Sequence, residues 1–233
     1  MKKQSIEYVK TMKSLLSILL LLLLLADTES LAQKAEKPYK CGFFLKDFEA
    51  LKSNYENYAN LLGVKKGENV ASVGASSGYV EVQVAVFVDS VNWTIQDIDT
   101  SCLNQHEFDK VLKYYAGLKG ESITGSFTLV IGETNKTNLL RNAYDRVLLV
   151  KVYHELFDRE SILKDIYQSL SNDGKVVIVE RMALKKGQKH GDCKHLALWE
   201  PDFLNEMKQF GYQMISKKTD SKSLITYFTF NKI

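Results

Sequence analysis

The sequence predicts an α/β fold: a doubly wound, mostly parallel sheet that ends in an antiparallel C-terminal hairpin. Three observations predict it. Short apolar runs alternate with amphipathic stretches from residue 43 to residue 182, the order that βαβ crossovers produce. The run "RVLLVKV" is apolar almost throughout, as a strand buried on both faces must be. The ending, "YQMISKKTDSKSLITYFTFNKI", reads as two strands around a polar turn.

Each element can be justified in order. Lys2, Lys3, Lys10 and Lys13 precede "LLSILLLLLLLA", and Ser30-Leu31-Ala32 forms a small-x-small site. A basic region, a short apolar region and such a site make a secretory signal peptide over residues 1–32, so an exported protein is expected, periplasmic or secreted. The apolar stretch spans about 18 Å as a helix against about 30 Å of hydrocarbon, so no stable membrane span is expected after cleavage. An uncleaved anchor is the alternative. Residues 33–62 then form a helical lead-in, with Phe44, Phe48, Leu51, Tyr55, Tyr58 and Leu62 at helical spacing from residue 43.

Residues 63–233 form the α/β domain. "VASVG" is the first strand, and "YVEVQVAVFVDS" the first crossover helix despite its β-branched residues. "NWTIQDID" is the second strand, and "TSCLNQHEFDKVLKYYAGLK" a helix capped near Thr100 or Ser101. "SFTLVIGE" and "YDRVLLVKVYHEL" are the third and fourth strands. "RESILKDIYQSL" is a helix stopped at Gly174, "KVVIVERM" the fifth strand, and "LWEPDFLNEMKQFGY" a helix stopped at Gly211.

Bulk numbers bound the function. The 233 residues suit one domain with a sizeable core, and 45% hydrophobic with 25% charged residues is an ordinary globular composition. A net charge of +3 gives no electrostatic footprint for nucleic acid, and no nucleic-acid partner is expected. Cys41, Cys102 and Cys193 are too few and odd in number for a disulfide framework. One bridge is possible, and the sequence does not assign it.

From about residue 43 to the end, the chain resembles the class I S-adenosylmethionine-dependent methyltransferases. Three stretches carry the resemblance: "LLGVKKGENVASVGASSGY", "TIQDIDTSCL" and "DRVLLVKVYHELFDRESILKDIYQSLSNDGKVVIVE". The resemblance implies a Rossmann-like sheet and S-adenosylmethionine as cofactor. It also implies a binding loop at Gly74, Ala75, Ser76 and Gly78. An acid about twenty residues later accepts the ribose hydroxyls. Asp99 is preferred because "DTSCL" matches the family pattern, with Asp97 as the alternative. Glu133 and Thr134, after the third strand, are the candidates facing the adenine, and a solvated turn is the competing reading.

Two departures stand out. Ser72 replaces the acid that usually opens the loop, and Ser76 replaces its middle glycine. Ser76 puts a Cβ where backbone approach is closest, which costs affinity unless the residue takes φ below zero.

Tyr153 and His154 end the fourth strand, where a methyl acceptor would be oriented or deprotonated, and they are the candidate catalytic residues. A capping or packing role is the competing reading for His154. Lys151 interrupts the apolar strand, lining the crevice or snorkelling outward. In the loop "KKGQKHGDCKH", His190, Cys193, His195 and Asp192 include metal-ligating types. Their spacing matches no common zinc site and draws on one loop, so no metal is expected. The lysines of that loop are suited to an anionic acceptor.

Two functions are therefore carried forward. The first is an exported S-adenosylmethionine-dependent methyltransferase acting on a small-molecule or envelope acceptor. The second is a non-catalytic exported binding protein that retains the scaffold. The acceptor and the oligomeric state are not legible.

Overall fold

The computed structural model describes residues 37–191, 193–220 and 223–233. The leader expected at residues 1–32, the start of the lead-in and Asp192 lie outside the described residues. Residues Pro38–Ile233 form one compact unit. Among the described residues no helix is long and apolar enough to cross a membrane.

Helix α1 (Phe48–Leu62) starts later than the apolar stripe suggests, because Asp47 caps it by accepting the Ala50 N–H at 2.8 Å. Strand β1 (Asn69–Val73) leads through the glycine loop to α2 (Tyr79–Ala85). This helix is shorter than expected, since the β-branched residues that made it a poor helix former hold only two turns.

Strand β2 (Val91–Asp97) is followed by α3 (Gln105–Lys119). The cap of α3 is Asn104, which accepts the Glu107 N–H at 3.1 Å, rather than Thr100 or Ser101. Those two residues belong to an intervening turn. Strands β3 (Gly125–Ile131) and β4 (Tyr144–Val150) follow. A 3₁₀ turn (Tyr153–Glu155) replaces the expected last part of the fourth strand. Lys151 breaks that strand, with φ 57° and an exposed side chain.

Helix α4 (Arg159–Ser169) passes directly into β5 (Leu170–Arg181), so Gly174 is a strand residue and not a helix stop. A Cβ at Gly174 would lie 2.6 Å from the Tyr144 carbonyl oxygen, which explains glycine at that position without a cap. Helix α5 (Glu200–Gln209) ends before Gly211, at φ 85° as expected for a stop. Strands β6 (Tyr212–Thr219) and β7 (Ile225–Lys232) form the closing hairpin.

The sheet order is β3-β2-β1-β4-β5-β7-β6. The first five strands in that order run parallel, and β7 pairs antiparallel with both β5 and β6. Alternation along the strands splits the core in two. Val70 and Leu148 face a cluster with Leu51, Val82, Trp93 and Phe108, while Ala71, Val147 and Leu149 face one with Ile162, Phe203 and Met207. Both faces of the sheet are thus covered by helices. Each fully buried Val or Leu is worth about 1.5–3 kcal/mol over exposure. The crossover reverses between β1 and β4, and there the strand ends splay into a crevice.

Candidate functional site

The crevice begins where β1 ends. Gly74 has φ 70°, and a Cβ there would sit 2.3 Å from Val152 Cγ2, so glycine is required on both counts. Three successive loop N–H groups are tied to the end of β2. Gly74 donates to Gln96 Oε1 at 3.3 Å, Ala75 to the Gln96 carbonyl at 3.0 Å, and Ser76 to Asp97 Oδ2 at 2.6 Å.

Ser76 does not take φ below zero. Its φ is 54°, in the left-handed region, and its hydroxyl donates to the Cys41 carbonyl at 2.7 Å. Ser77 donates to the same carbonyl at 3.2 Å. A disulfide between Cys41 and Cys102 pins this N-terminal segment to the turn after β2. The one bridge the cysteine count allowed is therefore assigned, and it serves the loop.

A cavity of about 310 Å³ opens beside the loop, within the size range of ligand pockets, about 300–1,000 Å³. Gly74, Ser76, Asp97, Glu133 and Thr134, all expected site residues, line it. Ala75 and Gly78 do not; Ala75 is buried behind the loop, and Gly78 has φ 76° and turns the chain into α2 against Phe108.

The structure puts Asp97, the alternative, and not the preferred Asp99 on the cavity. Asp99 lies outside the cavity, and its carboxylate accepts the Ser101 N–H at 2.8 Å and the Ser101 hydroxyl at 2.6 Å. Those bonds, the hydroxyl's foremost, hold it below the usual carboxylate range. Asp97 is the acid on the crevice. It accepts from Ser76 and, at 2.9 Å, from the Asp99 N–H, which leaves further lone pairs on both oxygens for a ligand. The family spacing fits both acids, and the half-turn after β2 decides between them.

Sequence reasoning missed the apolar walls and one acid. Ile98 (53% exposed) and Phe157 (94% exposed) offer apolar surface to the cavity, and Gln96 and Val152 line its floor. Large exposed apolar side chains beside an otherwise polar rim were the available signal, but burial is not legible from one chain. Glu155 lines this cavity and a second one.

Neither expected catalytic residue reaches the first cavity. Tyr153 is 0% exposed and packs edge-on against Phe203, with Arg159 over its ring. Its place at a strand end suggested the mouth, but the 3₁₀ turn rotates it into the core. His154 lines a neighbouring cavity of about 370 Å³. There its Nδ1 meets Glu180 Oε1 at 2.8 Å and Oε2 at 3.0 Å. Burial alone would lower its pKa, but the Glu180 carboxylate outweighs burial and raises it to about 9.

Behind the loop, Ser72 meets an acid from α2 that does not line the cavity. The Ser72 hydroxyl donates to Glu81 Oε1 at 2.6 Å, and both side chains are buried. Glu81 Oε2 has no hydrogen-bond partner among the described residues. Burial raises the Glu81 pKa to about 7, with Asp97 adding to it against the Ser72 hydrogen bond.

No family model and no curated protein matches this sequence. Solved structures do match its fold. An S-adenosylmethionine-dependent methyltransferase from Methanosarcina mazei aligns with TM-score 0.59 at 11% identity, over 77% of this chain and 98% of the other. One from Aquifex aeolicus aligns with TM-score 0.57 at 14% identity, over 80% and 98%. The [4+2]-cyclase SpnF aligns with TM-score 0.58 at 13% identity, over 82% and 86%, so the fold alone does not set the reaction. The sheet order, the closing hairpin and these likenesses agree: the chain has the fold of the class I S-adenosylmethionine-dependent methyltransferases.

Proposed function

We propose that the chain is an S-adenosylmethionine-dependent methyltransferase, exported to act on a small-molecule or envelope acceptor. One observation carries the reading. An acid at the end of β2, Asp97, shares one cavity with the glycine turn at Gly74 and with Glu133 and Thr134 after β3. That cavity lies outside the carboxyl ends of parallel strands at their switch point, where doubly wound sheets bind nucleotides.

The residues present fit such a cofactor. Asp97 has free lone pairs for ribose hydroxyls, Ile98 gives an apolar surface for a flat base, and Glu133 and Thr134 give polar partners at its edge. When bound, the cofactor supplies an electrophilic methyl group. The chain's own contribution is placement, since alignment supplies much of the rate in such a transfer. Phe157 and Leu156 flank the opening through which an acceptor would approach. Glu155, rather than Tyr153 or His154, is the titratable group on the cavity near that opening.

The test is calorimetric titration of the chain from residue 33 with S-adenosylmethionine and S-adenosylhomocysteine. Binding at micromolar ligand supports a working crevice. No binding at millimolar ligand by folded protein refutes it and leaves the exported, non-catalytic binding protein.

A further inference from the structure

The second cavity gathers groups from three distant parts of the chain. His154 and Glu155 come from the turn after β4, Glu180 from the end of β5, and Cys193 from the loop that follows. That loop is itself a small hairpin. Lys189 bridges to Leu196, the His190 N–H donates to the His195 carbonyl at 2.9 Å, and the Ala197 N–H to the Gln188 carbonyl at 2.8 Å. The hairpin carries Cys193 back to His154 and sets the His190 ring against that of His154, with centroids 4.2 Å apart and the planes tilted by 36°. Of the two reasons for expecting no metal, spacing and ligands from one loop, the second does not apply to Cys193, which meets groups from outside the loop.

Two of the ligand-to-ligand distances match those of a coordination shell. His154 Nε2 lies 3.5 Å from Cys193 Sγ and 3.5 Å from Glu155 Oε1, and the three ligand atoms all lie within 4.8 Å of one another. Around a tetrahedral zinc ion, bonds of about 2.0–2.1 Å to nitrogen, about 2.0–2.2 Å to oxygen and about 2.3 Å to sulfur put N···S at about 3.6 Å and N···O at about 3.4 Å.

The far side of the ring is also arranged for a metal. Glu180, 1% exposed, holds Nδ1, which fixes the ring and aims Nε2 at Cys193 and Glu155. A carboxylate on the distal nitrogen is the usual outer partner of a metal-bound imidazole. Two groups that are anionic when ligating thus converge on one imidazole edge. Among the described residues no Lys or Arg forms an ion pair with Glu155 or Glu180, although Lys151, Arg181 and Lys189 line the cavity.

We propose that His154 Nε2, Cys193 Sγ and the Glu155 carboxylate form a binding site for a divalent transition metal of the zinc class, with Glu180 as the positioning residue. Thiolate, imidazole and carboxylate together select zinc or cobalt over magnesium or calcium. Three protein ligands leave a fourth position, as in zinc sites that bind an exchangeable ligand. Metal binding here does not depend on methyl transfer: Asp97 and the glycine loop take no part, and Glu155 is the one proposed ligand that also lines the first cavity.

The experiment titrates cobalt(II) into chelator-treated full-length protein with its disulfide intact. Cys193 is then the single thiol, since the chain has three cysteines and two are bridged. The expected result is one equivalent bound, with a thiolate-to-cobalt charge-transfer band and tetrahedral visible bands that zinc displaces. Cys193→Ser abolishes the charge-transfer band. Glu180→Gln keeps the band but weakens binding about 10–100-fold. Thermal unfolding of each variant with and without zinc separates lost binding from lost fold, because only a bound ion raises the midpoint. Folded wild-type protein without the charge-transfer band overturns the proposal, as does a Cys193→Ser variant that binds cobalt as tightly as wild type.

Discussion

The buried Glu81 makes a pH prediction that can be worked through. Its carboxyl group sits beneath the glycine loop, accepting from Ser72 on one oxygen and from nothing among the described residues on the other. Burial, with Asp97 nearby, raises its pKa from 4.5 to about 7. The phenols of Tyr55, Tyr58 and Tyr79 feel its charge and are themselves raised, chiefly by burial, so they stay neutral throughout the relevant range. A raised pKa means that the folded state holds the proton more tightly than the unfolded chain. The associated stability is complete below pH 4.5 and is lost as pH rises through 7. At about 1.4 kcal/mol per pH unit, the difference amounts to about 3 kcal/mol.

Glu81→Gln removes the titration and keeps a neutral acceptor for the Ser72 hydroxyl. Urea unfolding of both proteins from pH 5 to pH 8.5 isolates the effect as the difference between them. The variant should gain about 2–3 kcal/mol on wild type across that range, because up to about pH 7 folded Glu81 keeps a proton that the unfolded chain has already lost. A difference that stays constant with pH would refute the reasoning and mean that Glu81 is ionised and paired in the fold.

Three further outcomes are expected. Asp97→Asn should weaken S-adenosylhomocysteine binding by about 1.5–3 kcal/mol, the value of a hydrogen bond to a charged group, while Asp99→Asn leaves it nearly unchanged. Calorimetry on the two variants checks this, and the reverse order would return the ribose role to Asp99. Gly74→Ala should cost at least about 2 kcal/mol in chemical denaturation, since the new Cβ overpacks against Val152 and φ 70° is strained for alanine. Cys41→Ser should lower stability by up to about 4 kcal/mol through lost loop closure across 61 positions. Cys102→Ser should match it, and reducing agent should lower wild type alone.

The parallel strands were legible because burial on both faces writes a continuous apolar run, as in β4 and β5. The closing hairpin was legible from the polar turn between its strands. Gly74 was legible too, because a strand running into a tight turn against its neighbour needs that residue. What failed was geometry at single-residue scale. Asp97 and Asp99 satisfy the same spacing, and a backbone turn sends one to the crevice and the other to Ser101. Tyr153 and His154 are adjacent in sequence, yet the 3₁₀ turn puts one in the core and the other in a cavity. Pairings across the chain were illegible for another reason. Cys41 with Cys102, Ser72 with Glu81, and His154 with Cys193 depend on how loops fold back, and no local pattern records that.

The bridge between Cys41 and Cys102 makes a covalent ring of chain that encloses α1, β1, α2 and β2. A protease cut anywhere from residue 42 to residue 101 opens that ring without freeing either piece. The Cys41 carbonyl that bonds Ser76 and Ser77 thus stays tethered beside the loop in a nicked molecule. A nicked molecule sheds this segment only after a reductant reaches the bridge.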